Sequence, residues 1–199
     1  HARAMGAAAQ ALSLAATGRS QAVGGVVSVS ATDMVAAQLL PPLVRQLREQ
    51  EPGIAIEVIS SNALSDLLRR EADIAIRHVK PDQPDLIARL IREATASFYA
   101  SEDWVKIHGH PRTAEDAVHL PFVGSDRSGQ FLAYLRMHGL PLSEANFSSY
   151  SDHSVAHWAL VRQGMGIGAM MDEIARDTPG MVRVLDDLPP VRFPIWLVS

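Results

Sequence analysis

The stretch DIAIRHV, residues 73–79, sets Ile74, Ala75 and Ile76 directly against two basic side chains, Arg77 and His78. A short continuous apolar run after a helix-like segment is the pattern of a parallel strand buried on both faces; a half-exposed strand would alternate instead. In open α/β sheets, ligands gather in the crevice beyond the carboxyl ends of such strands. Arg77 and His78 therefore stand where a ligand would be met. Side chains alternate along a strand, so one of the two faces the crevice and the other does not.

Working outward from this strand, the same grammar recurs. VVSVS (26–30) is a β-branched strand. The segment that follows, ATDMVAAQLLPPLVRQLREQEPG, carries Leu40, Leu43, Val44 and Leu47 at helical spacing, with Thr32 or Asp33 as its cap and Pro41-Pro42 kinking or restarting it. Pro52-Gly53 ends that helix, IAIEVIS (54–60) is a second strand, and ALSDLLRREA (63–72) is a short helix leading back to DIAIRHV. Strand, helix, strand, helix, strand is a right-handed parallel α/β unit. DLIARLI (85–91) adds a strand, and from Glu93 the pattern restarts with ATASFYAS and EDWVKIHGH. A helix start at TAEDAV follows, then strands at PFVGS and NFSSYS, helices at QFLAYLRMHG and DHSVAHWALVRQG, and finally MGIGAMM, GMVRVL and PIWLVS. Two α/β units joined near residues 92–95 is the economical reading. PIWLVS begins a strand at the very end of the sequence, so a closing helix is expected beyond it.

The bulk composition narrows the function classes. With 199 residues, 47% of them hydrophobic, the chain can bury a substantial core. A formal charge of -4 provides no general attraction to phosphate, so DNA contact is expected only through a segment outside this sequence. The absence of cysteine excludes disulfides and thiolate chemistry and fits a reducing cytoplasm. The opening HARAMGAAAQALSLAATGRSQAVGG has a cation before a small-residue stretch, as a secretion signal would. Gln10 interrupts it and leucines are few, so residues 2 to 17 read as a helix stopped by Gly18, with RSQAVGG as a connector. No segment reaches the roughly 20 apolar residues of a membrane span.

The order of these pieces resembles the effector-binding region of LysR-type transcriptional regulators. The resemblance is carried by GVVSVSATDMVAAQLLPPLVRQLREQEPGIAIEVI, LRREADIAIRHV, SFYASEDWVKIHGHPRTAEDAVHLPFVG, LVRQGMGIGAM and VRFPIWLVS, over nearly the whole chain. It implies a pair of periplasmic-binding-protein-like α/β subdomains with a small-molecule cleft between them. Residues 1–22 would be a linker helix and connector, 23–92 the first subdomain with 193–199 returning to it, and 93–192 the second. It also implies a homo-oligomer, dimer or tetramer, and DNA binding through an N-terminal winged helix-turn-helix that this chain lacks. The expected location is the cytoplasm, with no membrane contact. The competing reading is a free-standing periplasmic solute receptor of the same fold.

Candidate ligand contacts fall at the strand ends. SATDM offers the Ser30 and Thr32 hydroxyls and unpaired N–H groups at a helix start, an anion-binding arrangement at the turn the family uses for its effector. SSN adds Ser61 beside Asn62; Arg77 and His78 end the third strand. The second unit contributes Ser125 and Arg127 from GSDRSGQ and His153 from SYSDHS, where Asp152 is expected as the helix N-cap. Hydroxyls and cations at consecutive strand ends point to a small anionic effector.

Other chemistries fit less well. His153 and His157 are four apart, and HGH (108–110) offers two more imidazoles, but the Glu of the zinc-protease helix motif is missing. No metal or cofactor is expected. GMGIG (164–168) follows a helix, whereas a dinucleotide fingerprint opens one, and Gly164 reads as a helix C-cap. No G-x-S-x-G elbow is present, and no catalytic residue is assigned.

Overall fold

A computed structural model describes residues 24–62, 72–81 and 86–199. The expected helix at 2–17 lies outside the described residues, as does that at 63–72 apart from Ala72. The strand anticipated at 26–30 is β1, Gly25–Ala31, and β2 spans Ile54–Ser60 as expected. They pair in parallel from Gly25 opposite Ile54 to Ala31 opposite Ser60. The opening stretch supplies β3, Ile74–Arg77, parallel to the other edge of β1.

Between β1 and β2 the chain turns helical, and the two prolines decide its shape. α1 is Leu40–Gln50, with proline in its first turn where a missing N–H matters least. Ahead of it Val35–Leu39 forms a wider π-turn, the Leu40 N–H reaching back to Val35 O. Prolines 41 and 42 cannot donate to the carbonyls one α-turn earlier, which fits the widened ladder at their start. Leu40 is buried and Val44 and Leu47 are half-buried, while Leu43 is 57% exposed at the border of the stripe.

The expected break near residue 92 is not a break in the strand. DLIARLI and ATASFYAS belong largely to one 14-residue strand, β4, Ala88–Ser101. It is long because three partners hold it: β7 (Gly168–Met171), β8 (Met181–Val184) and β9 (Val191–Val198), all antiparallel. β9 also pairs antiparallel with β3, giving the order β2-β1-β3-β9-β4-β7 with β8 on β4. A separate parallel pair, β5 (Phe122–Gly124) and β6 (Phe147–Tyr150), is bridged to the larger sheet's side by Phe122 and Ile167.

The remaining helices are α2 (Glu102–His108), α3 (Gln130–Met137), α4 (Ser154–Arg162) and α5 (Asp172–Arg176). The helix start at TAEDAV yields only hydrogen-bonded turns. Thr113 and Asp116 cap each other, yet Pro121 has no N–H to offer Ala117, and Leu120 closes the turn on that carbonyl at 3.0 Å. Gly164 does cap α4. At φ +76° it donates to Val161 O at 3.0 Å while Met165 donates to Leu160 O at 3.2 Å, the double bond of a Schellman motif.

Two hydrophobic clusters result. One gathers Met34, Val35, Leu40, Tyr99, Trp158, Val161, Met170 and Ile195, so it ties the β1 side of the sheet to α4. The other, with Trp104, Phe122, Leu135, Leu142, Phe147 and Val184, lies around β5 and β6.

Candidate functional site

Above the first cluster the strand ends leave a cleft of about 480 Å³. One wall is Thr32 after β1, Asn62 after β2 and His78 after β3; the facing wall is Ser125 after β5 with Ser151, Asp152, Ser154 and His157 at the start of α4. Met34, Ala96, Ala169, Met170, Met171 and Phe193 complete the lining with apolar surface. Among the described residues, none that lines the cleft is Lys or Arg. The arrangement is an apolar pocket with a few convergent polar groups, the usual form of a small-molecule site.

The expected contacts divide accordingly. Thr32, His78 and Ser125 line the cleft; Ser30, Ser61, Arg77, Arg127 and His153 are not among its lining residues. Arg77 is 3% exposed, its guanidinium donating to Ser30 Oγ at 2.7 Å and to Ile76 O at 2.9 Å. It therefore clasps β1 to β3 beneath the strand ends. The next residue, His78, emerges on the cleft side with its ring edge-on to Phe193, centroids 5.0 Å apart. Ser61 donates its backbone N–H to Ala31 O. Arg127 lies over the Tyr150 ring, 5.9 Å from its centroid, in a separate cavity of about 130 Å³. His153 is exposed, with Nδ1 3.8 Å from Asp33 Oδ2.

Asp33 has a wider role than the cap read from sequence. Its Oδ1 accepts from the Met34 N–H at 2.7 Å, its own N–H donates to Asn62 Oδ1 at 3.1 Å, and its Oδ2 accepts from the Val155 N–H at 3.4 Å. One carboxylate thus serves the helix start after β1 and the first turn of α4, across 122 residues of sequence. This explains why Asp152 is not the α4 N-cap. His153 occupies that position without a side-chain cap bond, Asp33 serves the first turn from outside, and Asp152 is left on the cleft rim.

The second histidine of the cleft, His157, is buried, and neither ring nitrogen has a hydrogen-bond partner; Nδ1 of His78 has none either. Burial disfavours the imidazolium and holds both rings below their ordinary value of 6.5. For His78 the Arg77 charge adds to this, with the Pro194 backbone opposing; for His157 the Gly124 backbone opposes without reaching hydrogen-bond geometry. Both are neutral at pH 7. A single His on an otherwise apolar helix face reads as core, and its Ala-His-Trp surroundings carry no signal for a pocket. Among the described residues no group of three or more His, Cys, Asp or Glu is placed to hold a metal ion. No helix among the described residues is long and apolar enough to cross a membrane.

Comparison with known proteins agrees with this geometry. A family model described as the LysR substrate binding domain matches residues 20–199. The HTH-type transcriptional regulator CrgA of Neisseria meningitidis serogroup C is 28% identical over 150 residues, 74% of this chain and 50% of that protein. The chain thus spans about half the length of the curated relatives it matches. The solved regulatory domain of CrgA from Neisseria meningitidis, a LysR-type transcriptional regulator, superimposes with a TM-score of 0.73 at 23% identity, covering 89% of each chain. The Synechocystis CcmR regulatory domain, solved in complex with 2-PG, does so with a TM-score of 0.68 at 17% identity, covering 88% of this chain and 87% of that one. The fold is the periplasmic-binding-protein-like α/β pair.

Proposed function

Because this chain belongs to the LysR substrate binding domain family, we propose that it is the ligand-sensing region of a LysR-type transcriptional regulator and takes a small anionic effector in the cleft. The observation that carries this is the convergence of Thr32, Ser125, Ser154, Asn62 and two imidazoles over an apolar floor. A domain of this fold holding 2-PG supports a small ligand here. Residues 23–92 with 193–199 form one subdomain and 93–192 the other, with β4 and β9 running between them. A ligand touching Thr32 and His78 on one side and Ser125 and Ser154 on the other favours a closed arrangement. Closure alters pairing within a homo-oligomer, dimer or tetramer, and so the placement of a DNA-binding winged helix-turn-helix outside this chain. The protein acts in the cytoplasm and turns nothing over.

Thermal-shift screening with small carboxylates, aromatic acids and amino acids tests the reading, since a ligand of the folded state raises stability by RT ln(1 + [L]/Kd). A hit should weaken by about 1 kcal/mol in Thr32→Val and again in Ser125→Ala, each losing one hydrogen bond. Hits indifferent to both variants would remove the cleft as the site.

A further inference from the structure

Two imidazoles enter the cleft from opposite walls, and neither ring nitrogen of His157 nor Nδ1 of His78 has a partner in hydrogen-bond geometry among the described residues. His78 follows the last residue of β3; His157 lies one turn into α4 and is 5% exposed. Buried polar atoms without partners are rare, and where they line a cavity a bound group commonly satisfies them. α4, nine residues long, begins at the cleft, with Ser154 on its wall and no side-chain cap from His153. Asp33 takes the Val155 N–H of its first turn, and the N-terminal end of the helix adds a field favourable to negative charge.

Among the described residues, no Lys or Arg lines this setting. On the β3 side Arg77 lies behind His78 and is directed to Ser30 and Ile76. On the α4 side Asp152 stands on the rim, and Asp33 with the exposed His153 sits at the cleft's edge. β7 and β9 contribute Ala169, Met170, Met171 and Phe193, all uncharged. Among the described residues, an anion entering such a cleft meets donors but no fixed countercharge, and the countercharge they can supply is a proton on an imidazole.

We infer that His78 and His157 act as a two-sided clamp for a small carboxylate, which is bound together with a proton taken from solvent onto the imidazole pair. The neutral ring nitrogen accepts that proton and becomes an N–H donor to the carboxylate oxygen; no other bond forms or breaks. This rests on the cleft being the effector site. The ligand class it names is a carboxylic acid with a compact apolar body that covers the Met and Phe floor, in preference to a polyphosphate of larger fixed charge.

The test uses the 199-residue chain with isotope-labelled histidine, observing the ring resonances between about pH 5.5 and 8. The probe is isobutyrate, which stays ionised over this range, with neutral isobutyramide as its isostere. Tens of millimolar isobutyrate should drive the His78 and His157 rings toward imidazolium. Its Kd should weaken about tenfold per pH unit above the free rings' titration, the signature of one proton taken up. Isobutyramide should show no such slope, and His78→Asn and His157→Gln should each flatten it. An isobutyrate affinity independent of pH but lost in Thr32→Val would overturn the clamp and leave the cleft reading standing. Rings unmoved by isobutyrate at the acid end would overturn the clamp as well, whatever the compound panel finds.

Discussion

Gly168→Ala should loosen the seat of α4 on the sheet, and the structure sets the size of the effect. A Cβ at Gly168 would lie 2.3 Å from Val161 Cγ2 and 2.7 Å from His157 Nε2. Carbon atoms in contact sit about 3.5–4.0 Å apart, so each overlap is on the order of an ångström. Neither side yields easily. Val161 is fully buried, and a β-branched side chain in a helix has essentially one rotamer. Gly168 is held opposite Tyr99 and its neighbour Ala169 opposite Phe98 in the β4 ladder. The remaining relief is for α4 to lift and for His157 to swing within the cleft. Overpacking of this kind costs about 1–3 kcal/mol, and the stiffer unfolded chain returns about 0.4–1 of it. A net loss of about 1–2 kcal/mol corresponds to a fall in Tm of about 2–8 °C for a domain of this size. Thermal denaturation reads it directly. Val161→Ala in the same chain should recover part of the loss, giving a favourable coupling in a double-mutant cycle. A Gly168→Ala protein within about 0.5 kcal/mol of the parent would refute the close seating of α4 from which the cleft wall is built.

Arg77→Met should lower unfolding free energy by about 2 kcal/mol, the loss of charge-assisted hydrogen bonds that include those to Ser30 and Ile76 offset by release of a buried charge, and should leave ligand affinity in the cleft unchanged. Urea denaturation and a binding titration on one preparation separate the two; a lost affinity with intact stability would return Arg77 to the ligand. Stability should be flat above about pH 6.5 and fall below it. With folded-state values depressed for His78 and His157, the unfolded chain binds more protons there, at up to about 1.4 kcal/mol per pH unit for each ring. The lowered carboxylates Asp73, Asp103, Asp116, Asp126 and Asp172 act in the same direction only nearer their own range, close to pH 4 and below, so the window just under 6.5 belongs to the histidines. Urea midpoints that do not move between pH 7.5 and 5.5 would contradict the burial of both rings.

How far the sequence carried depended on whether a feature was local. β2 was legible to the residue because Pro52-Gly53 punctuates its start and a β-branched run sets its length. The Gly164 cap was equally local, since only a residue at ease with positive φ can close that Schellman turn. β4 was misread as two strands because its continuity comes from partners distant in sequence, β7, β8 and β9, and nothing between Arg92 and Ala96 announces them. At the site, Thr32, His78 and Ser125 were visible as polar residues just past strand ends. His157 was visible only as one half of a metal pair, because its place in the cleft depends on a close approach of α4 to Gly168. Asp33's bond to Val155 joins segments 122 residues apart, and no local pattern encodes it.

The stretch that set the fold also divides its two cations by the pleat of a strand. Arg77, still within the β3 ladder opposite Trp196, turns inward to Ser30, while His78, one residue on, turns to the cleft and to Phe193. The inward position makes a guanidinium structural, because its fork is spent on β1 and on its own strand. The outward position makes an imidazole responsive, because burial leaves it neutral and the Arg77 charge behind it deepens that preference. An arginine in the cleft would hold an anion at every pH; a histidine there, backed by a buried arginine, holds one only by recruiting a proton. In the proposed clamp, strand alternation at a single residue step thus decides whether the cleft meets a fixed charge or a titratable one.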